Sequence, residues 1–144
     1  MSRLVAVTAL GLALIAAVPA TAAAGTTIST TQLFQPKRQT AGCGATNPIV
    51  SRKEVLCSAK GIPRPAHSSP SVGDPFVELT ATGKPQLVLI SQDSFIPGSK
   101  VKTLAQGSLW SSRGVTCSVG SSTILCFNAD NHGFLIGNGH YTSF

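Results

Sequence analysis
The sequence has little of what enzyme sites are usually made from. Only five of its 144 residues are acidic, and one tryptophan and one tyrosine stand beside six phenylalanines. No G-x-S-x-G element frames a nucleophile, and Gly107-Ser108 lacks the glycine frame of a serine-protease loop. Neither neighbouring cysteine pair has the C-x₂₋₄-C spacing of a structural zinc site. Beyond the first 24 residues, no window of ten or more repeats apolar side chains at i, i+3, i+4 and i+7, so amphipathic helices are not expected. No second long apolar run follows the first, so no membrane span is expected in the mature chain.

What is there begins with an export signal. Arg3 precedes an uncharged apolar run from Leu4 to Val18, and Pro19 leads into small residues with Ala-x-Ala spacing. That run is short of the roughly 20 residues a bilayer span needs, so cleavage after Ala22 or Ala24 is expected. The mature protein would be secreted. No cysteine near the cleavage site suggests a lipid anchor. Cleavage after Ala24 leaves 144 − 24 = 120 residues, enough for one domain. We expect a flexible leader at 25–33 and a single domain at 34–144.

The chain carries 11 Lys and Arg against five Asp and Glu. Without Arg3 the balance is 10 − 5 = +5. The positive residues are scattered and the aromatics few, which argues against a nucleic-acid reader. A basic exported domain could instead be drawn to an anionic envelope polymer. A secreted protein is the other partner considered.

All four cysteines, Cys43, Cys57, Cys117 and Cys126, fall in the exported part. An even count in an oxidising compartment argues for two disulfides, with three possible connectivities. We favour Cys43–Cys57 and Cys117–Cys126, because each pair brackets one short segment. Loops of that size stabilise by roughly 3 kcal/mol each.

Short strand-like runs alternate with turns along the rest. Strands are expected at Ala41–Ala45, Glu54–Ala59, Phe76–Thr80, Gln86–Ile90, Lys100–Leu104, Leu109–Trp110, Val115–Val119, Thr123–Phe127, Phe134–Ile136 and His140–Phe144. Gln86–Ile90 (QLVLI) is continuously apolar and reads as a central strand. Turns are expected at Asn47-Pro48 and at Asp93–Ser99. Between them Gly61 to Pro75 holds four prolines and must be a long surface connection. An even loop centred on Ser121-Ser122 would set Cys117 directly opposite Cys126, whereas a Gly120-Ser121 loop would set it opposite Ile124, so the disulfide favours the first register. The fold expected is all-β, a small disulfide-stapled antiparallel barrel or sandwich of about eight to ten short strands.

Certain pieces, taken in order, resemble a family of exported actinobacterial proteins of unknown function. They are Ala41-Gly42-Cys43, Val55-Leu56-Cys57, Val115-Thr116-Cys117, Leu125-Cys126-Phe127-Asn128, Asn131-His132-Gly133-Phe134 and Tyr141-Thr142-Ser143-Phe144. The resemblance covers roughly Phe34 to Phe144. Many relatives carry a further cysteine pair, at places that fall here near Ser68 or Ser69 and near Ile90. Joint loss is what a disulfide partnership implies, and it supports pairing the remaining four among themselves. The family implies no catalytic residue.

Asp130, His132 and His140 are the nearest approach to a metal cluster, but Asn131 and Gly133 make their segment a turn. We therefore assign no metal, no cofactor and no catalytic residue, and expect a structural His132. Glu54 and Glu78 alternate with apolar neighbours and are expected on solvated faces. Trp110, Phe127, Phe134, Tyr141 and Phe144 could line a glycan-binding groove, but at strand spacing they are expected mainly in the core. The function expected is a non-catalytic binding or envelope-associated module. A hydrolase with an unrecognised site is the first alternative, and an inhibitor presenting the 61–75 loop is the second.

Overall fold
The computed structural model describes residues 27–28, 33–45, 54–90 and 101–144. The expected signal segment and the turns at Asn47-Pro48 and Asp93–Ser99 lie outside the described residues. Alternating small, β-branched and polar residues between glycine- and proline-bearing turns produce twelve short strands. They are β1 (Thr27–Ile28), β2 (Phe34–Pro36), β3 (Ala41–Ala45), β4 (Glu54–Ala59), β5 (Asp74–Thr80) and β6 (Gln86–Ile90). After these come β7 (Lys102–Leu104), β8 (Leu109–Ser112), β9 (Val115–Val119), β10 (Thr123–Asn128), β11 (Gly133–Gly137) and β12 (His140–Ser143). No helix occurs among the described residues.

The strands form two six-stranded sheets packed as a sandwich. The N-terminal sheet has the order β6-β5-β4-β3-β2-β7, and the C-terminal sheet β1-β8-β9-β10-β11-β12. Each is an antiparallel five-strand meander with one parallel strand added at its edge, β7 beside β2 and β1 beside β8. Thr27 and Ile28, expected in a flexible leader, therefore pair with Leu109 and Trp110. The Leu33 carbonyl likewise accepts from the Lys102 amide at 2.8 Å.

The two halves repeat one plan. A transverse row of paired residues in the N-terminal sheet runs Phe34, Cys43, Cys57, Val77, Leu87. Its counterpart in the C-terminal sheet runs Trp110, Cys117, Cys126, Phe134, Ser143. Equivalent members meet across the interior, as a local two-fold axis requires. The Phe34 and Trp110 rings lie 4.7 Å apart, and Cys57 Sγ lies 4.0 Å from Cys126 Sγ. Each half lends its first strand to the other half's sheet.

Both expected disulfides are present, and each joins directly opposed residues of a hairpin. The β9–β10 connection spans Gly120 to Thr123, with the Gly120 amide bonded to the Thr123 carbonyl, which sets Cys117 opposite Cys126. The sulfurs sit in a core built from Phe34, Val55, Val77, Leu79, Trp110, Ile124, Phe134 and Ile136. The Trp110 indole N–H has no partner there, a cost of about 1–3 kcal/mol that burial of the ring must exceed.

Three expectations are overturned. Phe127 and Phe144, expected mainly in the core, are exposed. Gln86–Ile90 is an edge strand with its apolar residues half-buried, not a central one. Glu54 points away from the core, as alternation requires, yet it is buried rather than solvated. The outward-facing Leu56 and Phe76 are buried too.

The sulfur contact yields a prediction. Oxidative refolding of Cys43→Ala should give two species, one with Cys117–Cys126 intact and one with a Cys57–Cys126 bond and Cys117 free. Peptide mapping would detect both. Recovery of the native bond alone, with Cys57 a free thiol throughout, would contradict the contact.

Candidate functional site
The sequence pointed to Asp130, His132 and His140, and the structure separates them. His132 precedes β11 and His140 pairs with Gly137 at its far end. At about 3.3 Å per strand residue the two histidines stand on the order of 15 Å apart. The Asp130 carboxylate is already engaged, its Oδ2 accepting from the Gly83 amide at 2.9 Å. These three residues do not form a metal site.

What organises that turn is Asn128, the last residue of β10, which is buried. Its Nδ2 donates to the carbonyls of Thr80 (3.1 Å) and Gly83 (2.7 Å). Its Oδ1 accepts from the amides of Asp130 (3.1 Å) and His132 (3.2 Å). One side chain thus ties the β5–β6 turn of one sheet to the β10–β11 turn of the other. At the opposite end of β10 the Thr40 hydroxyl donates to the Ser122 carbonyl, a second tie between the sheets. Gly133 is needed for close approach: a Cβ there would lie 2.2 Å from the Cys126 carbonyl oxygen and 2.7 Å from the Phe144 ring. The left-handed residue of the turn is Asn131, with φ 60°.

Cys43, Cys57 and Cys126 bring their sulfurs within 4.8 Å of one another, the only such cluster of potential ligands among the described residues. All are disulfide-bonded, so none offers the thiolate that a metal requires.

The 61–75 connection is folded around Arg64. Its Nη2 lies 3.0–3.4 Å from the carbonyl oxygens of Ser69, Pro70, Val72 and Gly73. The loop is internally bonded, and its most basic side chain is committed to that task. Val72 remains exposed at its tip.

The described residues also line an open hollow of about 920 Å³, a volume within the range of small-ligand sites. It lies over β2–β5 at the end where the β11–β12 turn reaches across from the other sheet. Gly42, Ser58 and Phe76 form its base, and Gln39, Lys60 and Asn138 stand around it. Among the described lining residues Asp74 is the one carboxylate, and none is a histidine. Gln39 and Asn138 both hold left-handed backbone conformations, φ 52° and 53°, at turns facing the hollow. A Cβ on Gly42 would meet nothing nearer than the Phe34 carbonyl at 3.8 Å, so that part of the base is open. No pair of carboxylates stands among the described lining residues.

Sequence reasoning did not single out Gly42, Ser58, Lys60 or Asn138, which stand far apart in the chain and share no motif. Asn128 carried a weak signal, an asparagine at the head of a turn, where its side chain competes for backbone amides. Comparison with protein-family models, with curated proteins and with solved structures finds no match to this chain.

The Asn128 tie is open to measurement. Asn128→Asp keeps both acceptor bonds and turns a carboxylate toward the Thr80 and Gly83 carbonyls. We expect a loss of roughly 2–4 kcal/mol in denaturant unfolding at neutral pH. A loss below about 0.5 kcal/mol would show that the side chain does not bridge the sheets.

Proposed function
We propose that this chain is an exported, disulfide-framed, non-catalytic binding domain that takes a polyhydroxylated, acid-bearing chain of the kind found in cell envelopes. The observation that carries the reading is the hollow over β2–β5. Its amides and hydroxyls suit a ligand rich in hydroxyls, and Lys60 supplies a cation for an acidic group. A formal charge of +6 over the whole chain favours encounter with an anionic polymer. The apolar N-terminal run and the two disulfides fit an exported protein, and membership of the exported family that its motifs resemble is part of the same proposal. A span is not needed for this role, and no helix among the described residues is long and apolar enough to cross a membrane.

The inhibitor reading has one observation in its favour, the loop held in shape by Arg64. A pre-organised loop binds at lower entropic cost. Yet its arginine is engaged by four carbonyls of the loop itself, which leaves Val72 as the exposed large apolar group on the described loop.

The test uses a uronic-acid oligosaccharide, with a neutral hexose oligosaccharide of equal length as control, in calorimetric titration. The acidic oligomer should bind more tightly, and added salt should weaken it. Gly42→Phe, which fills the open base, and Lys60→Glu should each lower affinity at least tenfold while leaving the melting temperature within a few degrees. Equal affinities for wild type and both variants would place binding elsewhere. No binding of either oligomer would remove the proposal.

A further inference from the structure
The outer face of the C-terminal sheet is the one extended apolar surface that the described fold leaves open. Alternation about the inward Cys117, Cys126 and Phe134 turns Thr116, Ser118, Leu125, Phe127, Leu135 and Thr142 outward. Leu125 and Leu135 are directly opposed, and Phe127 opposes Gly133, across which Phe144 lies. Phe127, Leu135 and Phe144 are exposed by 39%, 41% and 54%, so three of the large apolar side chains most exposed to solvent adjoin one another.

The local two-fold relation shows what is unusual here. The equivalent of Leu125 in the other half is Leu56, since Cys126 corresponds to Cys57. Leu56 is 6% exposed and its neighbour Phe76 8%, both covered within the chain. The matched leucine is buried in one half and half-exposed in the other.

The charge pattern indicates the occupant. Among the described residues, Lys37, Arg38, Lys60, Arg64, Lys84, Lys102 and Arg113 all lie on turns, loops or β7. His140 is the one ionisable side chain on the outer face of β8–β12. An acidic partner would be drawn to the cations and away from this face. Two copies of a basic chain repel each other everywhere except here, where Thr, Ser, Leu and Phe can meet their own kind. We propose that the outer face of β8–β12 is a self-association surface on which a second copy of this chain packs sheet to sheet.

The size of the face sets the strength. Five strands spaced by about 4.8 Å, each about 17 Å long, give roughly 400 Å². That is about half of the ~800 Å² that each partner contributes to a standard interface. A weak dimer follows, with Kd on the order of 10 µM to 1 mM rather than nanomolar.

Sedimentation of the purified oxidised protein over that concentration range tests the proposal. It should show a monomer–dimer equilibrium. Phe127→Glu and Leu135→Lys should each raise Kd at least tenfold with circular dichroism unchanged. Val72→Glu, at an equally exposed apolar residue on the 61–75 loop, should leave Kd unaltered. A monomer throughout overturns the proposal. So does a dimer that survives both face variants, which would place the contact at an edge strand, or one lost equally in Val72→Glu, which would mark non-specific stickiness.

Discussion
Two disulfides in contact at the centre of the sandwich set the terms for the rest of the molecule. Each lies across one hairpin, so each fixes the register of its own sheet. A one-residue slip in either hairpin would break the bond and turn every inward side chain outward. Because Cys57 and Cys126 touch, the same four sulfurs also fix how one sheet sits on the other. Phe34 and Trp110 repeat the arrangement one strand further toward the edge. A domain with few large side chains thus obtains a defined core from sulfur and from one aromatic pair.

Polar ties complete what the sulfurs begin. Asn128 joins the sheets at one end of β10 and Thr40 at the other, so the sandwich is held at its middle and at both ends. With that frame fixed, turns can carry unusual backbone conformations without loosening the fold. Gln39 and Asn138 are such residues, and both face the hollow. The exchanged strands β1 and β7 lock the halves further, since neither sheet is complete without a strand from the other half. The frame leaves two surfaces of different character. One is a polar hollow with a cation beside it, and the other is an uncharged apolar face.

The strands were legible in the sequence because alternation and turn chemistry are local. Ala41–Ala45, Glu54–Ala59, Gln86–Ile90 and Val115–Val119 stand where they were expected. The opposed cysteines were legible as well, because each pair brackets one short segment and a bridge across a hairpin requires them to face each other. Strand order was not. A continuous run such as QLVLI reads as buried on both faces, but its neighbours are chosen by the whole sheet, and here no described strand lies on one side. The parallel pairings of β1 and β7 join residues more than sixty apart and leave no local pattern. The internal repeat was hidden for a similar reason. It survives as little more than Val55-Leu56-Cys57 against Ile124-Leu125-Cys126, too short to register beside unequal loops. Glu54 shows the limit of alternation: it predicts the direction of a side chain, not what covers it. The Asp130, His132 and His140 grouping failed because β11 intervenes between the histidines. The hollow had no signature at all, since four separated segments each supply an ordinary residue.

On the proposed reading, the hollow over β2–β5, rather than the apolar face or the Arg64 loop, is where this domain would meet its ligand. The most direct measurement is a nuclear magnetic resonance map of backbone amide shifts in the oxidised protein as soluble cell-envelope glycan is added. Saturable shifts are expected at Gly42, Ser58, Lys60 and Asn138, with the amides of Leu125, Leu135 and Val72 unmoved. Saturable shifts confined to the outer face of β8–β12 or to residues 61–73, with the hollow silent, would contradict it.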